Sequence, residues 1–403
     1  MKKIVLCSLF LFVFVSCTAL KGDIDSFFDD KKNESNPKLI ALSAKNPLEV
    51  KIAVVVPLSG KYEFLGKNIM DALQLALYEL RADNISLKAI DIGSDKTIPA
   101  DVLTDTNFGD VDLILGPIFK EQAETIYKYA RSKNLNMITY SNDISLMNKS
   151  GLYVFDFIPY QQIKKVVKYA SDNNYSNIYS VVPNDIYGEL VEKVLLNNRY
   201  KDHYHIKKVS AYSASNVTAV KRFTLSEAIF NIKSAAKDDL SNRLPGFGEP
   251  ALLAPETGNN LLRVLNQMQF VHSSKDMHLK LLGIGDWSQY PIEQNILSND
   301  AWISDIPHTQ IYDFDNRFLE NYKYRPSRLS AVAYDSAMLI AAILNKTDGG
   351  IVLEFQELER SSGYQGITGA FRLKSNGLNE RLYSVYKYNK GRMHEVLKAE
   401  NKF

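Results

Sequence analysis

The sequence predicts an α/β fold of two doubly wound parallel-sheet lobes, and three observations carry that reading. Short β-branched runs alternate with helical stretches along most of the 403 residues, the pattern of a parallel sheet with helices on both faces. The length exceeds what one hydrophobic core normally serves, so two lobes are expected. The alternation gives way near the end to turn-punctuated strands, an antiparallel closing segment.

In order, Val50–Val56 is a buried β-branched strand ending at Pro57. Leu58-Ser59-Gly60 turns the chain into a helix from about 65 to 80, with Ile69, Ala72, Leu73, Ala76, Leu77 and Leu80 on one face. Strands follow at 87–92, 111–115, 136–140 and 151–157, and helices at 121–132 and 162–173. The second lobe reads as strands at 178–182, 207–212, 251–254, 278–284 and 301–306. Its helices run from Tyr187, over 217–240 and over 259–268. Helices at 314–322 and 329–345 precede a meander of 369–373 and 382–388 with turns at Ser375-Asn376-Gly377 and Asn389-Lys390-Gly391. Counting three crossovers between the lobes, we expect lobe one over 48–155 plus 308–348 and lobe two over 156–307 plus 349–395, with hinges near Phe155, Ile306 and Gly363.

The first residues carry a different signal. Lys2 and Lys3 precede an apolar run from Ile4 to Val15, broken only by Ser8. About a dozen residues are too few to cross a bilayer core of roughly 30 Å as a helix, and a short apolar run behind a basic start reads as a signal peptide over 1–16. Phe14-Val15-Ser16-Cys17 resembles the lipobox of bacterial lipoproteins, in which the cysteine is acylated, although Phe14 stands where an aliphatic residue is usual. Cys7 and Cys17 are the two cysteines of the chain. With Cys7 removed and Cys17 lipidated, no disulfide would remain. Residues 17–47 would be the lipidated N-terminus and a flexible linker, rich in Asp, Lys, Asn and Ser. Thr18 follows Cys17 where inner-membrane lipoproteins usually carry Asp, which points to the periplasmic face of the outer membrane.

Composition excludes some partners. With 48 basic and 46 acidic residues the net charge is +2, without the electrostatic footprint of a nucleic-acid binder. No nucleophile elbow, zinc-protease motif or phosphate loop occurs, so neither catalysis nor a cofactor is expected. His203 and His205 form an H-x-H pair in a polar segment, more simply read as solvated than as a metal site.

In open α/β sheets ligands gather outside the carboxyl ends of the strands, where helix N-termini present free N–H groups. The candidate cleft residues are therefore Leu58, Ser59, Gly60, Gly116, Pro117, Ile118, Ser141, Asn142, Asp143 and Phe157 from the first half. Asp185, Tyr187, Glu256, Asp286 and Trp287 are those from the second. Ser141, Asp185 and Glu256 each have a simpler reading as helix caps or turn residues.

These motifs in sequence resemble the type I periplasmic binding proteins of the leucine/isoleucine/valine-binding class. The resemblance is carried by Val54-Val55-Val56-Pro57-Leu58-Ser59-Gly60 with Gly66, Leu115-Gly116-Pro117, Asn184-Asp185-Ile186-Tyr187-Gly188, Ala333-Tyr334-Asp335-Ser336-Ala337, and Gly366-Ile367-Thr368-Gly369 with Phe371. Tyr140-Ser141-Asn142-Asp143, Phe157-Ile158-Pro159 with Gln162, and Leu253-Ala254-Pro255-Glu256 are similar to penicillin-binding-protein activator lipoproteins. That resemblance implies a non-enzymatic envelope lipoprotein docking to a peptidoglycan synthase. The chain lacks the N-terminal helical-repeat domain of the best-known members. The alternative is a receptor for an amino acid or small polar solute, serving an ABC permease or a sensor. Amino-acid receptors of the class usually follow Gly-Pro with a small hydroxyl residue that grips the ligand carboxylate. Here Ile118-Phe119-Lys120 stand in that place, and an Asp143 buried without a cation would disfavour a carboxylate.

Overall fold

The computed structural model describes residues 42–43, 45–46, 48–196, 204–213, 223–242, 248–271, 279–292, 295, 298–348 and 350–403. The expected signal peptide, Cys17 and His203 lie outside them. Among the described residues no helix is long and apolar enough to cross a membrane.

The strands are β1 (Leu42–Ser43), β2 (Val50–Val56), β3 (Ile85–Asp91), β4 (Leu113–Leu115), β5 (Asn136–Thr139), β6 (Leu152–Val154), β7 (Asn177–Pro183), β8 (His205–Tyr212), β9 (Pro250–Ala254), β10 (Lys280–Ile284), β11 (Trp302–Asp305), β12 (Leu344–Thr347), β13 (Gly350–Leu353), β14 (Tyr364–Gly366), β15 (Gly369–Leu373), β16 (Asn379–Arg381), β17 (Ser384–Asn389) and β18 (Arg392–Leu397). The helices are α1 (Glu63–Leu80), α2 (Asp105–Phe108), α3 (Lys120–Ser132), α4 (Pro159–Asp172), α5 (Ile186–Leu196), α6 (Leu225–Ser241), α7 (Gly258–Val271), α8 (His308–Tyr322) and α9 (Arg328–Ala342).

Two main sheets result, as the alternation predicts. The first has the order β3-β2-β4-β5-β6 and is parallel throughout. The second has the order β18-β17-β11-β10-β9-β7-β8, parallel from β11 to β8 with two antiparallel strands at one edge. The two-residue side-chain period of a strand divides the cores. Val50, Ile52, Val54 and Val56 face one apolar cluster with α1, α8 and α9, whereas Ala53 and Val55 face another. That second cluster continues through Ile158, Tyr160 and Ile163 into Ile178, Leu253 and Leu282, so apolar packing crosses from one sheet to the other beside the first crossover. A third cluster fills the far face of the larger sheet.

Helix starts follow local chemistry. Pro159 opens α4 at the position where its missing N–H costs nothing. Thr224 and Glu227 make a reciprocal capping box at α6.

The chain's tail departs from expectation. The helix read over 329–345 stops at Ala342, and Asn345 lies in β12. Residues 350–373, expected in lobe two, pack on the first lobe instead: Ile351, Leu353, Phe355, Leu358, Phe371 and Leu373 share the cluster of β2 and α9. β14, β15 and β16 form a small sheet of their own, so the third passage between lobes falls at 382–383 rather than near Gly363. The meander is thereby split, with β15 in the small sheet and β17 paired to β11. Leu42–Ser43, read as linker, pair antiparallel with the edge of β13.

One buried ion pair fixes the small sheet to the last helix. Arg381 and Asp335 are both fully buried and 3.8 Å apart. Asp335 accepts the Ile367 and Thr368 N–H groups at 2.8 and 3.2 Å and the Thr368 hydroxyl, which also accepts from Arg381. The guanidinium lies against the rings of Phe155, Phe157 and Phe371, 4.7, 5.2 and 5.1 Å from their centroids. Removing one partner leaves an uncompensated buried charge, so Asp335→Ala should cost ~3–5 kcal/mol in urea unfolding. A loss under ~1 kcal/mol would show that the pair is not what holds this sheet in place.

Candidate functional site

A cleft of about 540 Å³ opens between the two main sheets. The first lobe and the crossover supply Ile118, Phe119, Tyr140, Asn142, Asp156 and Phe157, and α9 adds Arg328 and Leu329. The second lobe supplies Tyr187, Glu256, Asn260, Asp286 and Tyr290. These are strand ends, helix starts and one crossover, the places where a doubly wound fold collects side chains from distant segments.

Six of the residues expected there line it: Ile118, Asn142, Phe157, Tyr187, Glu256 and Asp286. The others serve the loops. The Leu58 N–H donates to Asp91 at 2.8 Å, and the Ser59 carbonyl accepts from the Ser94 hydroxyl at 2.7 Å, so the Leu58-Ser59-Gly60 turn is tied to the loop after β3. Next to the turn, the Tyr62 ring lies 4.8 Å from that of Phe119, a cleft residue.

Gly116 has φ +93°, and a Cβ there would run into the Val55 carbonyl. The Pro117 carbonyl accepts from the Thr139 hydroxyl at 2.7 Å and the Tyr140 N–H at 3.0 Å. The pair thus supports Ile118 and Phe119 from beneath. Ser141 accepts the Asp143 N–H at 3.3 Å, a turn contact. Asp143 accepts from the Ser145 N–H and hydroxyl at 2.9 and 2.6 Å and lies 3.5 Å from Lys120. It therefore has a cation, contrary to the expectation, and does not line the cleft. Asp185 accepts the Gly188 N–H at 2.9 Å at the start of α5, the cap reading. Trp287 is a core residue: its indole folds back over Gly283, and its N–H donates to the Ile284 carbonyl at 3.2 Å. Tyr290 occupies the cleft wall in its stead.

Residues that strand-end reasoning missed carry much of the electrostatics. Arg328, at the start of α9, donates to both oxygens of Asp305 at 3.1 and 2.5 Å and lies 4.8 Å above the Phe157 ring. His308 lies 2.9 Å from the same carboxylate and stacks on Tyr386 at 4.2 Å. Burial alone would raise the Asp305 carboxyl, but Arg328 and His308 together hold it below the usual carboxylate range. Asp286, Asp305 and His308 place potential ligand atoms within 4.8 Å of one another. The Arg328 guanidinium already supplies the positive charge there, and Asp286 is engaged by Ser288 and Gln289. These donors do not fit a metal centre.

Asp156 is 8% exposed. Burial pushes its carboxyl up to about 7, only partly offset by the Phe157 N–H at 2.7 Å and by Arg381 and Arg328. Glu256 is likewise raised by burial, against the Tyr212 hydroxyl that donates to it at 2.7 Å. The signal for Asp156 was present in the sequence as a carboxylate between two phenylalanines.

Comparison with known proteins agrees with this fold. Residues 49–203 match the family described as periplasmic binding protein. An uncharacterized protein of Rickettsia prowazekii (strain Madrid E) is 23% identical over 247 residues, 61% of this chain and 62% of that protein's length. A putative branched-chain amino acid ABC transporter protein from Rhodospirillum rubrum superposes with a TM-score of 0.70 at 11% identity, over 87% of this chain and all of that one. The substrate-binding protein LivJ of Streptococcus pneumoniae, solved with isoleucine, gives 0.59 at 17% identity, over 87% of this chain and all of that one. LpoA of Haemophilus influenzae gives 0.61 at 16% identity, covering 88% of this chain but 59% of LpoA. The chain has the type I periplasmic-binding-protein fold.

A carboxyl raised by burial destabilises the folded state once it must ionise. For Asp156 the destabilisation is absent below about pH 4, grows as pH rises, and is complete above about pH 7. Asp156→Asn should therefore be more stable than the parent at about pH 8, by a few kcal/mol, and nearly equal to it at about pH 4 in urea unfolding. An equal difference at both pH values would contradict this assignment.

Proposed function

We propose that this chain is a non-enzymatic binding protein of the cell envelope whose two lobes close on a small polar solute. The observation that carries this reading is the cleft itself, with side chains from both lobes facing a space of ligand size. Ile118 and Phe119 stand where amino-acid receptors of the class place a carboxylate-gripping hydroxyl, which favours a solute recognised by other groups. The solute would be delivered to a permease or a sensor, with lobe closure as the signal.

Docking to the cell-wall synthesis machinery is the second reading. It is favoured by the likeness to LpoA over 88% of this chain and by the activator-like motifs around Tyr140, Phe157 and Glu256. Both readings share a lipid anchor at Cys17 on the periplasmic face of a membrane, the outer one by the identity of Thr18.

Thermal unfolding against amino acids, small peptides, sugars and muropeptides separates them. A ligand at 100 times its dissociation constant adds about 2.7 kcal/mol of stability, a shift of a degree or more. Such a shift with one solute class supports a receptor. Silence across the panel, with a peptidoglycan synthase co-purifying, would overturn it in favour of docking. Replacing Cys17 by Ser should move the protein from the membrane to the soluble fraction on fractionation. Unchanged membrane retention would end the lipoprotein reading.

A further inference from the structure

The charges around the cleft do not balance. Three carboxylates line it, Asp156, Glu256 and Asp286. The one cation among the described lining residues is Arg328, and both of its bonds go to buried Asp305. Arg381 is turned to Asp335. Glu256 is engaged by the Tyr212 hydroxyl, and Asp286 by Ser288 and Gln289.

Asp156 differs from both. One of its oxygens accepts the Phe157 N–H, and among the described residues the other has no hydrogen-bond donor, although the residue is more than nine-tenths buried. The groups facing it are Arg381 from β16, Arg328 from α9 and Tyr383 beyond β16; Arg328 and Tyr383 also face Asp305 at the end of β11. Arg328 is bonded to both oxygens of Asp305; Arg381 lies 3.8 Å from Asp335 and donates to the Thr368 hydroxyl, and although its Nε and Nη2 have no hydrogen-bond partner among the described residues, neither arginine donates to Asp156. Tyr187 and Tyr290, both part-exposed, line the same space, and aromatic rings attract a cation.

We propose that the cleft selects a solute of net positive charge, whose ammonium or guanidinium group donates to the free oxygen of Asp156 at the crossover. This rests on the solute-binding reading above and names the class of solute. A bound cation favours the ionised carboxylate, so binding releases a proton wherever Asp156 is protonated in the empty protein. Affinity then rises with pH through the range in which the carboxyl ionises, roughly tenfold between about pH 6 and pH 8 for a group titrating near 7.

The test is titration calorimetry on the purified protein with putrescine, agmatine and spermidine, against leucine, glutamate and glucose. At least one cationic probe is expected to bind, about tenfold more tightly at pH 8 than at pH 6. Asp156→Asn should weaken it at least tenfold at pH 8 and flatten its pH profile. Asp286→Asn, an acid on the opposite lobe, should weaken it without flattening that profile. Binding of leucine, glutamate or glucose with none of the cations would overturn the charge preference and leave the solute-binding reading standing. A cationic probe indifferent to Asp156→Asn would overturn the role of Asp156. Silence from every probe would overturn the preference for these cations, and silence in the wider unfolding panel as well would overturn the solute reading itself.

Discussion

The architecture depends on how charge is handled where the chain crosses between its lobes. Two buried aspartates, Asp305 at the end of β11 and Asp335 within α9, each hold an arginine from another segment. A buried carboxylate is tolerable only when paired and hydrogen-bonded. Meeting that condition ties together α9, the small sheet and strand β11 of the second lobe. Around the pairs, Gln161 accepts the Arg381 N–H at 2.9 Å and donates to the Asn379 carbonyl at 2.7 Å. Asn379 in turn donates to the Asp156 carbonyl at 2.9 Å. The first and third crossovers are thereby joined through side chains rather than by a ladder.

The same arrangement shapes the cleft. Arg328 faces it yet is neutralised by Asp305, so its charge is not free for a ligand carboxylate. Ile118 and Phe119 add apolar surface to the cleft. What remains is aromatic and acidic. On the proposed solute-binding reading, the periplasmic-binding-protein fold supports a cleft whose lining is this chain's own, in line with the general separation of fold from function.

Much of the scaffold was legible in the sequence because its signals are local. The β-branched run of β2 and the apolar stripe of α1 each report their own burial within a few residues. The fate of 350–373 was not legible, because β13 pairs with β1, which lies near the other end of the chain. Among site residues, the strand-end rule found Ile118, Asn142 and Asp286 but also selected Trp287, which Gly283 lets fold into the core. It missed Arg328 and Asp156 because their roles come from contacts across the fold. Arg328 looks like an ordinary helix-start residue until Asp305 is placed beside it. Asp156 looks like a strand residue until the crossover buries it.

Asp305 and Asp335 each have an arginine beside them, whereas Asp156 at the cleft has none of its own. Its own titration tests that most directly, read as the infrared difference between the protein and its Asp156→Asn variant from about pH 3 to pH 9. A carboxyl that ionises with a midpoint near 7 is the predicted result. A midpoint near the ordinary value of about 4 would mean that a cation or a donor already satisfies Asp156, and would contradict the account.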